Sequence, residues 1–475
     1  MHKLPLHHIF LNIKSLINKL PQWVPILLII INCILYEWVG VFELEALQPV
    51  AVLCKVLIPL YLLLNVFPGN FYFPPLKRFI YCFAIFMAWG AFSTSTSNFF
   101  IEGVIQWIKI FFRFLFCISV CLYFIKRPIS YQTIIMKVLV MIGVATVVQY
   151  FVLELFSCMG WLANPIEITI PQGGRFYGPY GILGNGTAQF SSFYVVPKFQ
   201  LTGFWLEPSN AAAFLFMSSF IAEALYISTE KKMWIIASGV CCIGGIFTFA
   251  NGGYFALGFS LLVGQIFYFI RGNKNRTIHV VLSRGTFYHL LMATSIFLIL
   301  FSLLGRYVVI KNMPDNSMLK AITGVRGALL TFAPGRYQSQ PSKSVSLDDT
   351  MMQRAALVKS CFDISSFKES IIGHGFRIPG VVSKGWGVVV SASAPVMWLY
   401  FTGIVGLIIL LLRESQVIWF FVSAFPPSAY QLRIFQAWIV LLFQNMVYGT
   451  WMTPLYFLLI ALIFSSLNED KHVDL

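Results

Sequence analysis

Apolar runs long enough to cross a bilayer recur along the whole chain. They lie at about 23–42, 48–66, 78–95, 104–125, 134–155, 209–228, 233–250, 253–270, 287–309, 394–412, 430–448 and 451–467. Each approaches the ~20 residues that a helix needs to cross a hydrocarbon layer of ~30 Å. The pattern predicts an all-α polytopic membrane protein with about twelve transmembrane helices. The run 416–425 is too short to span and stops at Pro426 and Pro427, so it reads as interfacial or re-entrant.

The polar stretches divide the chain. Residues 1–20 carry Lys3, Lys14 and Lys19 opposite Leu6, Ile9, Phe10, Ile13, Leu16, Ile17 and Leu20, which recur at three- and four-residue steps. That spacing predicts an amphipathic helix on the membrane surface. The following run has no small-residue cleavage site and reads as an uncleaved first span. Helices one to five fall within 21–155 and helices six to nine within 209–309; the closing helices fall within 394–467, before a tail at 468–475. Two long loops intervene, 156–208 and 310–393.

Composition fits this class. Hydrophobic residues make up 58% of the 475 and charged residues 11%, with mean hydropathy +0.79. A soluble domain is nearer 45–50% apolar and ~25% charged. Disorder, coiled coil, collagen and small disulfide scaffolds are excluded on the same figures. The net charge of +15 carries no basic stretch interleaved with stacking aromatics on a soluble domain, so nucleic acid is not an expected partner.

The cations orient the spans instead. Lys77 and Arg78 follow span two, Lys126 and Arg127 span four, Lys231 and Lys232 span six, Arg271, Lys274 and Arg276 span eight, and Arg413 span ten. Glu43 and Glu45 follow span one, and the Ser93–Phe100 loop has no cation. Both termini are therefore expected in the cytoplasm and both long loops outside. The second loop carries ten Lys or Arg against five acids, a surface that attracts anions.

Some charges fall inside spans. Lys109 and Arg113 stand four residues apart, on one helix face. A cation at the bilayer centre costs ~2.5–3.5 kcal/mol on insertion scales, so such residues should face the bundle interior or a hydrated cavity. Arg113, with Lys109, could line a cavity for a phosphate-bearing lipid; the alternatives are an ion pair with an acid inside the bundle, or Lys109 snorkelling outward. Glu154 and Glu223 are the acidic candidates in other spans; Lys55 and Lys137 receive no role. Seven of nine cysteines lie in apolar runs and are expected to pack as small hydrophobes. Cys158 and Cys361 fall in polar loops, where a disulfide is one alternative.

Three short passages carry a resemblance. The first is Leu201-Thr-Gly-Phe-Trp-Leu-Glu-Pro-Ser-Asn210, leading into an apolar helix where Pro208 suits the first turn and Ser209 or Asn210 the cap. The second is Arg354-Ala-Ala-Leu-Val-Lys359, followed by Ile371-Ile-Gly-His-Gly-Phe-Arg377. The third is Trp398-Leu-Tyr-Phe-Thr-Gly-Ile-Val-Gly406. Their order and placement resemble the superfamily of O-antigen polymerases and O-antigen ligases. Departures are also visible. Ala392 and Ser393 stand where ligases carry a His-Asn pair, which favours a polymerase. Asn251-Gly252-Gly253 and Gln200 stand where many members carry arginine.

The resemblance implies a polymerase acting on polyprenyl-pyrophosphate-linked glycan donors and acceptors at the outer face of a bacterial inner membrane. A chain-length regulator and a flippase are implied partners, and no cofactor or metal is expected. Cations must hold the leaving pyrophosphate, for which the guanidinium fork is suited. Arg354 and Arg377 are the first candidates, with Arg113, Arg175, Arg326 and Arg336 as further substrate contacts. His374, between two glycines that let its backbone approach a ligand, and Glu207 are candidate bases for the acceptor hydroxyl. A ligase, and a flippase or other transporter, are the competing readings.

Overall fold

A computed structural model describes residues 21, 23–42, 48–66, 74–97, 100–126, 129–158, 166–169, 175–178, 201, 205, 208–248, 250–271, 367–376, 394–423, 427–447 and 451–473. Its helices are α1 (Trp23–Phe42), α2 (Gln48–Val66), α3 (Pro74–Ser95), α4 (Phe100–Lys126), α5 (Ile129–Cys158), α6 (Pro208–Thr229), α7 (Lys232–Phe247), α8 (Asn251–Arg271), the short α9 (Phe367–Ile372), α10 (Ala394–Ser423), α11 (Ala429–Val447) and α12 (Pro454–Val473). One antiparallel hairpin, β1 (Ile166–Thr169) with β2 (Arg175–Gly178), departs from the all-α expectation and pairs Ile166 with Gly178 and Thr169 with Arg175. Apart from α9, every described helix falls on a predicted apolar run. The run 287–309 and the segment 1–20 lie outside the described residues.

The chain is a helical membrane protein. Among the described residues, α3, α4, α6 and α10, with Ser130–Val152 of α5, are long and apolar enough to cross a membrane. Shorter apolar stretches lie in α1, α2, α7, α8 and α12. The outward faces are apolar: Ile101, Ile236 and Trp419 are each more than 60% exposed. Along α10 the usual order is inverted. Ile404, Ile408, Leu411, Leu412 and Trp419 face outward, while Arg413 and Glu414 are buried. That inversion suits a helix with lipid outside and protein within.

Two helices make the centre. In α6 every residue from Ala211 to Leu225 is buried, and so is every residue of α12 from Pro454 to Leu467. A helix apolar on all sides belongs inside a bundle. Helix α6 packs on α7 and α11, α12 on α4, α3 on α10, and α2 on α4. Pro208 begins α6 as expected, but Ser209 and Asn210 lie within its first turn and do not precede it as caps. Asn251-Gly252-Gly253 opens α8. The C-terminal helix runs to Val473, into the stretch read as a tail.

Among the described residues, two clusters of charged side chains interrupt the apolar core. In one, Arg433 Nε of α11 lies 2.7 Å from Glu223 Oε2 of α6. Ser238 Oγ of α7 donates to Glu223 Oε1 at 3.2 Å and is 2.8 Å from Ser219 Oγ. Nearby, Gln436 and Ser260 exchange bonds of 2.9 and 2.8 Å between α11 and α8. Glu223 thus meets Arg433, a cation to which the sequence reading gave no role.

The other cluster corrects two expectations in α10. Arg413, read as a cytoplasmic loop charge, is fully buried and paired with Glu414. Its Nη2 also donates to the Trp451 carbonyl at 3.0 Å, and its guanidinium carbon stands 4.6 Å from the Phe83 ring centroid. Tyr456 O–H donates to Glu414 Oε2. The run 416–425 is not a separate interfacial piece: its residues to Ser423 continue α10, because the charges before it are neutralised inside the bundle.

Five of the seven cysteines expected to pack as hydrophobes are buried: Cys33, Cys117, Cys121, Cys241 and Cys242; Cys54 and Cys82 are half-buried. Cys361 and the Cys158 side chain lie outside the described residues.

Candidate functional site at the Gly373-His374-Gly375 turn

Helix α10 is broken one-third of the way along. Gly403 has φ 64° and ψ −175°, a backbone region essentially closed to other residues. The carbonyls just before the break each accept a donor from outside the helix. His374 N–H donates to Tyr400 O at 2.9 Å and Gly375 N–H to Phe401 O at 2.9 Å. Trp89 Nε1–H of α3 donates to Thr402 O at 2.8 Å. An irregular backbone within a membrane bundle must be satisfied by protein in this way.

The turn is held from its other side by the end of α3. Gly375 N–H lies 3.1 Å from Ser93 Oγ, which itself donates to Phe401 O at 2.9 Å. Phe376 N–H donates to Thr94 Oγ1 at 3.1 Å. The Phe376 ring is fully buried over Gly90 and beside the rings of Phe86, Trp398 and Phe401. Helix α9 ends as Gly373 N–H donates to Glu369 O at 2.7 Å.

The glycines meet a packing requirement that the sequence did not announce. A Cβ on Gly373 would overlap the Phe401 carbonyl, and one on Gly403 would overlap the Ile371 carbonyl. The close approach that the structure shows is between two stretches of protein backbone. Only residues lacking Cβ allow α9 and its turn to seat in the break.

His374 is positioned by this docking. Its side chain is 15% exposed, its ring stacks on Tyr400 with centroids 4.2 Å apart, and its Nδ1 is 3.4 Å from Glu369 Oε1. A proton held on Nδ1 toward the carboxylate would leave the lone pair on Nε2. Such an imidazole can take a proton from a hydroxyl, or, when protonated, hold a phosphate oxygen.

The other sequence candidates divide as follows. Arg354, Arg326, Arg336, Glu207 and Arg377 lie outside the described residues. Arg175 opens β2, and its side chain lies outside the described residues, as does that of Glu154 in α5. Arg113 is half-buried and Lys109 exposed on α4, the helix whose Gly103 lies against the Phe376 carbonyl of the turn. Among the described residues no three His, Cys, Asp or Glu side chains converge to hold a metal ion.

Sequence reasoning missed Glu369 and Tyr400. Glu369 was one of five acids in a long basic loop, with no pattern marking it; a five-residue step to His374 across a helix end becomes a contact only when the chain reverses at Gly373. Tyr400 sits within the third motif but was read as part of an unbroken span. No protein-family model matches the chain, and no curated protein matches it at a significant level.

Proposed function

We propose that the protein is a membrane glycosyltransferase that joins polyprenyl-pyrophosphate-linked oligosaccharide units into O-antigen, capsular or exopolysaccharide chains. The observation that carries this reading is His374, held between Glu369 and Tyr400 where a polar turn seats in a broken apolar helix. In this reading the protein has about twelve spans, sits in a bacterial inner membrane with both termini cytoplasmic, and works on the outer face. The Lys and Arg pairs that follow alternate spans support that orientation.

The reaction needs three services. The acceptor hydroxyl attacks the anomeric carbon of the donor, and the anomeric C–O bond to pyrophosphate breaks with its electron pair leaving on the pyrophosphate. His374 Nε2 takes the hydroxyl proton, and Glu369 stabilises the resulting imidazolium. Arg354 and Arg377 hold the pyrophosphate, with Arg175, Arg326 and Arg336 as further contacts and Glu207 as a second candidate base. Arg113 serves the lipid end of the substrate. A chain-length regulator and a flippase are the proposed partners.

Purified protein given a synthetic polyprenyl-pyrophosphate repeat unit should yield a ladder of longer lipid-linked glycans on a sizing gel. His374→Ala should lower the rate about 10²-fold, at the lower end of what general-base catalysis contributes. Glu369→Gln should lower it less, since the imidazole remains but loses the carboxylate that orients it. Arg354→Ala should abolish the ladder. No ladder from folded protein and the correct unit sinks the polymerase reading in favour of ligation or transport. A ladder undiminished in His374→Ala keeps the activity and discards the site.

A further inference from the structure

We infer that the end of the bundle where α6 and α8 begin, beside Gln444 of α11, is a binding site for an oxyanion, the phosphate or pyrophosphate group of a substrate. The site rests on the reading above only for which phosphate ester is the physiological one.

The starting point is a buried side chain with nothing to bond. Gln444, near the end of α11, is 2% exposed, and neither its Nε2 nor its Oε1 has a hydrogen-bond partner. Burying a carboxamide without bonds is costly, and folded chains rarely do so. Two counts along the helices show where it stands. Arg433 of α11 meets Glu223 of α6, and Gln436 of α11 meets Ser260 of α8. Eleven residues on from Arg433 is Gln444, and eleven back from Glu223 is Ala212. Eight on from Gln436 is again Gln444, and eight back from Ser260 is Gly252. The two counts agree, because Gly253 lies against Ala212, where an added Cβ would stand 2.3 Å from the alanine's own. Counting the other way along α6 from Glu223 would run past its end at Thr229. Eleven residues make three helical turns, so Gln444 shares the face on which Arg433 meets α6. It is therefore directed at the first turns of α6 and α8.

What it meets there is main chain. Ala211, Ala212 and Ala213 of α6 and Gly252 and Gly253 of α8 are buried, and none carries a polar side-chain atom. Both helices begin at this end, and the first amides of a helix have no acceptor within it. Ala250, before α8, has no side-chain oxygen to cap them. Helix α12 differs, since Thr453 Oγ1 accepts the Tyr456 N–H at 3.3 Å. Two helix N-termini side by side favour an anion at their mouth, and the glycines of α8 let it approach the backbone. The Gln444 amide adds a donor to its oxygens, and Oε1 suits a hydroxyl of the same molecule. Glu223 lies three turns deeper and is paired with Arg433, so it does not oppose an anion here. In the proposed orientation this end faces outward, where the first long loop leads into α6.

Isothermal titration calorimetry of the full chain in detergent micelles tests the site. The probes are inorganic pyrophosphate, polyprenyl pyrophosphate and, as a phosphate-free control, polyprenol. Wild type should bind both pyrophosphates, and polyprenol more weakly than its pyrophosphate. Gln444→Leu should weaken both pyrophosphates about tenfold, the loss of one hydrogen bond to a charged group. Gln444→Glu, which sets a like charge against the ligand, should abolish their binding. Because Gln444→Leu removes an unbonded buried amide, the ligand-free variant should melt no lower than wild type, whereas a glutamine that only holds the helices together would make it melt lower. Preference for polyprenyl pyrophosphate assigns the site to a lipid-linked ester, and equal affinity for inorganic pyrophosphate assigns it to phosphate groups in general. Either supports the site. It is overturned if wild type binds no pyrophosphate, if folded Gln444→Leu binds like wild type, or if ligand-free Gln444→Leu melts well below wild type. No sugar is transferred in this assay. A chain that passes it but yields no glycan ladder loses the polymerase reading and keeps this site; a chain that makes the ladder while Gln444→Leu binds like wild type does the opposite.

Discussion

Arg413→Ala is expected to destabilise the folded bundle by about 3–5 kcal/mol, the usual penalty for removing one partner of a buried ion pair. Arg413 is 0% and Glu414 5% exposed, so solvent screens neither charge. With the guanidinium gone, Glu414 would keep one hydroxyl donor, Tyr456, and lose its counter-charge. The Trp451 carbonyl and the faces of Phe79, Phe83 and Phe457 would also lose the group they surround. Arg413→Met/Glu414→Gln should recover most of the loss, because a neutral pair of similar volume leaves no orphaned charge. Thermal unfolding in detergent micelles, followed by tryptophan fluorescence, compares the three proteins. A single variant that melts with wild type would show that the pair does not hold α10 against α3 and α12.

Gly403→Val should unseat the His374 turn. The native φ of 64° with ψ of −175° costs a side-chain-bearing residue about 1–3 kcal/mol. The added Cβ would also overlap the Ile371 carbonyl and stand 2.7 Å from Ile372 N, both backbone atoms of α9 that cannot rotate away. Overpacking of this kind adds about 1–3 kcal/mol. A combined penalty near 3 kcal/mol raises the undocked population about 100-fold. Hydrogen exchange reads this directly, since the amides of His374, Gly375 and Phe376 are protected only by bonds that exist when the turn is docked. Their exchange should accelerate about 100-fold while amides in α6 and α12 stay slow. Glycan transfer should fall with it. Unchanged protection of these three amides would refute the interlock of Gly373 with Gly403.

Much of the scaffold was legible because the cost of taking a side chain out of water is set residue by residue. Summed along a run, it marks helices such as α6 and α12 without coordinates. The same additivity explains where the α10 span was misread. A hydropathy sum counts Arg413 and Glu414 as two charges facing solvent and closes the run before them, whereas in the bundle they neutralise each other. The Gly373-His374-Gly375 passage stood out in the sequence, but its glycines were read for ligand approach. Their requirement comes from α10, some thirty residues later, and nothing local to either motif announces that the two interlock.

The sequence by itself determined the class of molecule, the helix-forming apolar runs, the cysteines that pack as hydrophobes, and His374 as a residue to watch. These follow from composition, periodicity and local spacing. Only the tertiary structure decided which charges meet: Glu223 with Arg433, Arg413 with Glu414, and Glu369 with His374. Hydrophobic transfer is a property of single residues, but ion pairs, hydrogen bonds and charge clusters belong to pairs. Whether two residues form a pair depends on helix rotation and packing between segments far apart in the chain, as when Ser93 reaches the carbonyl of Phe401.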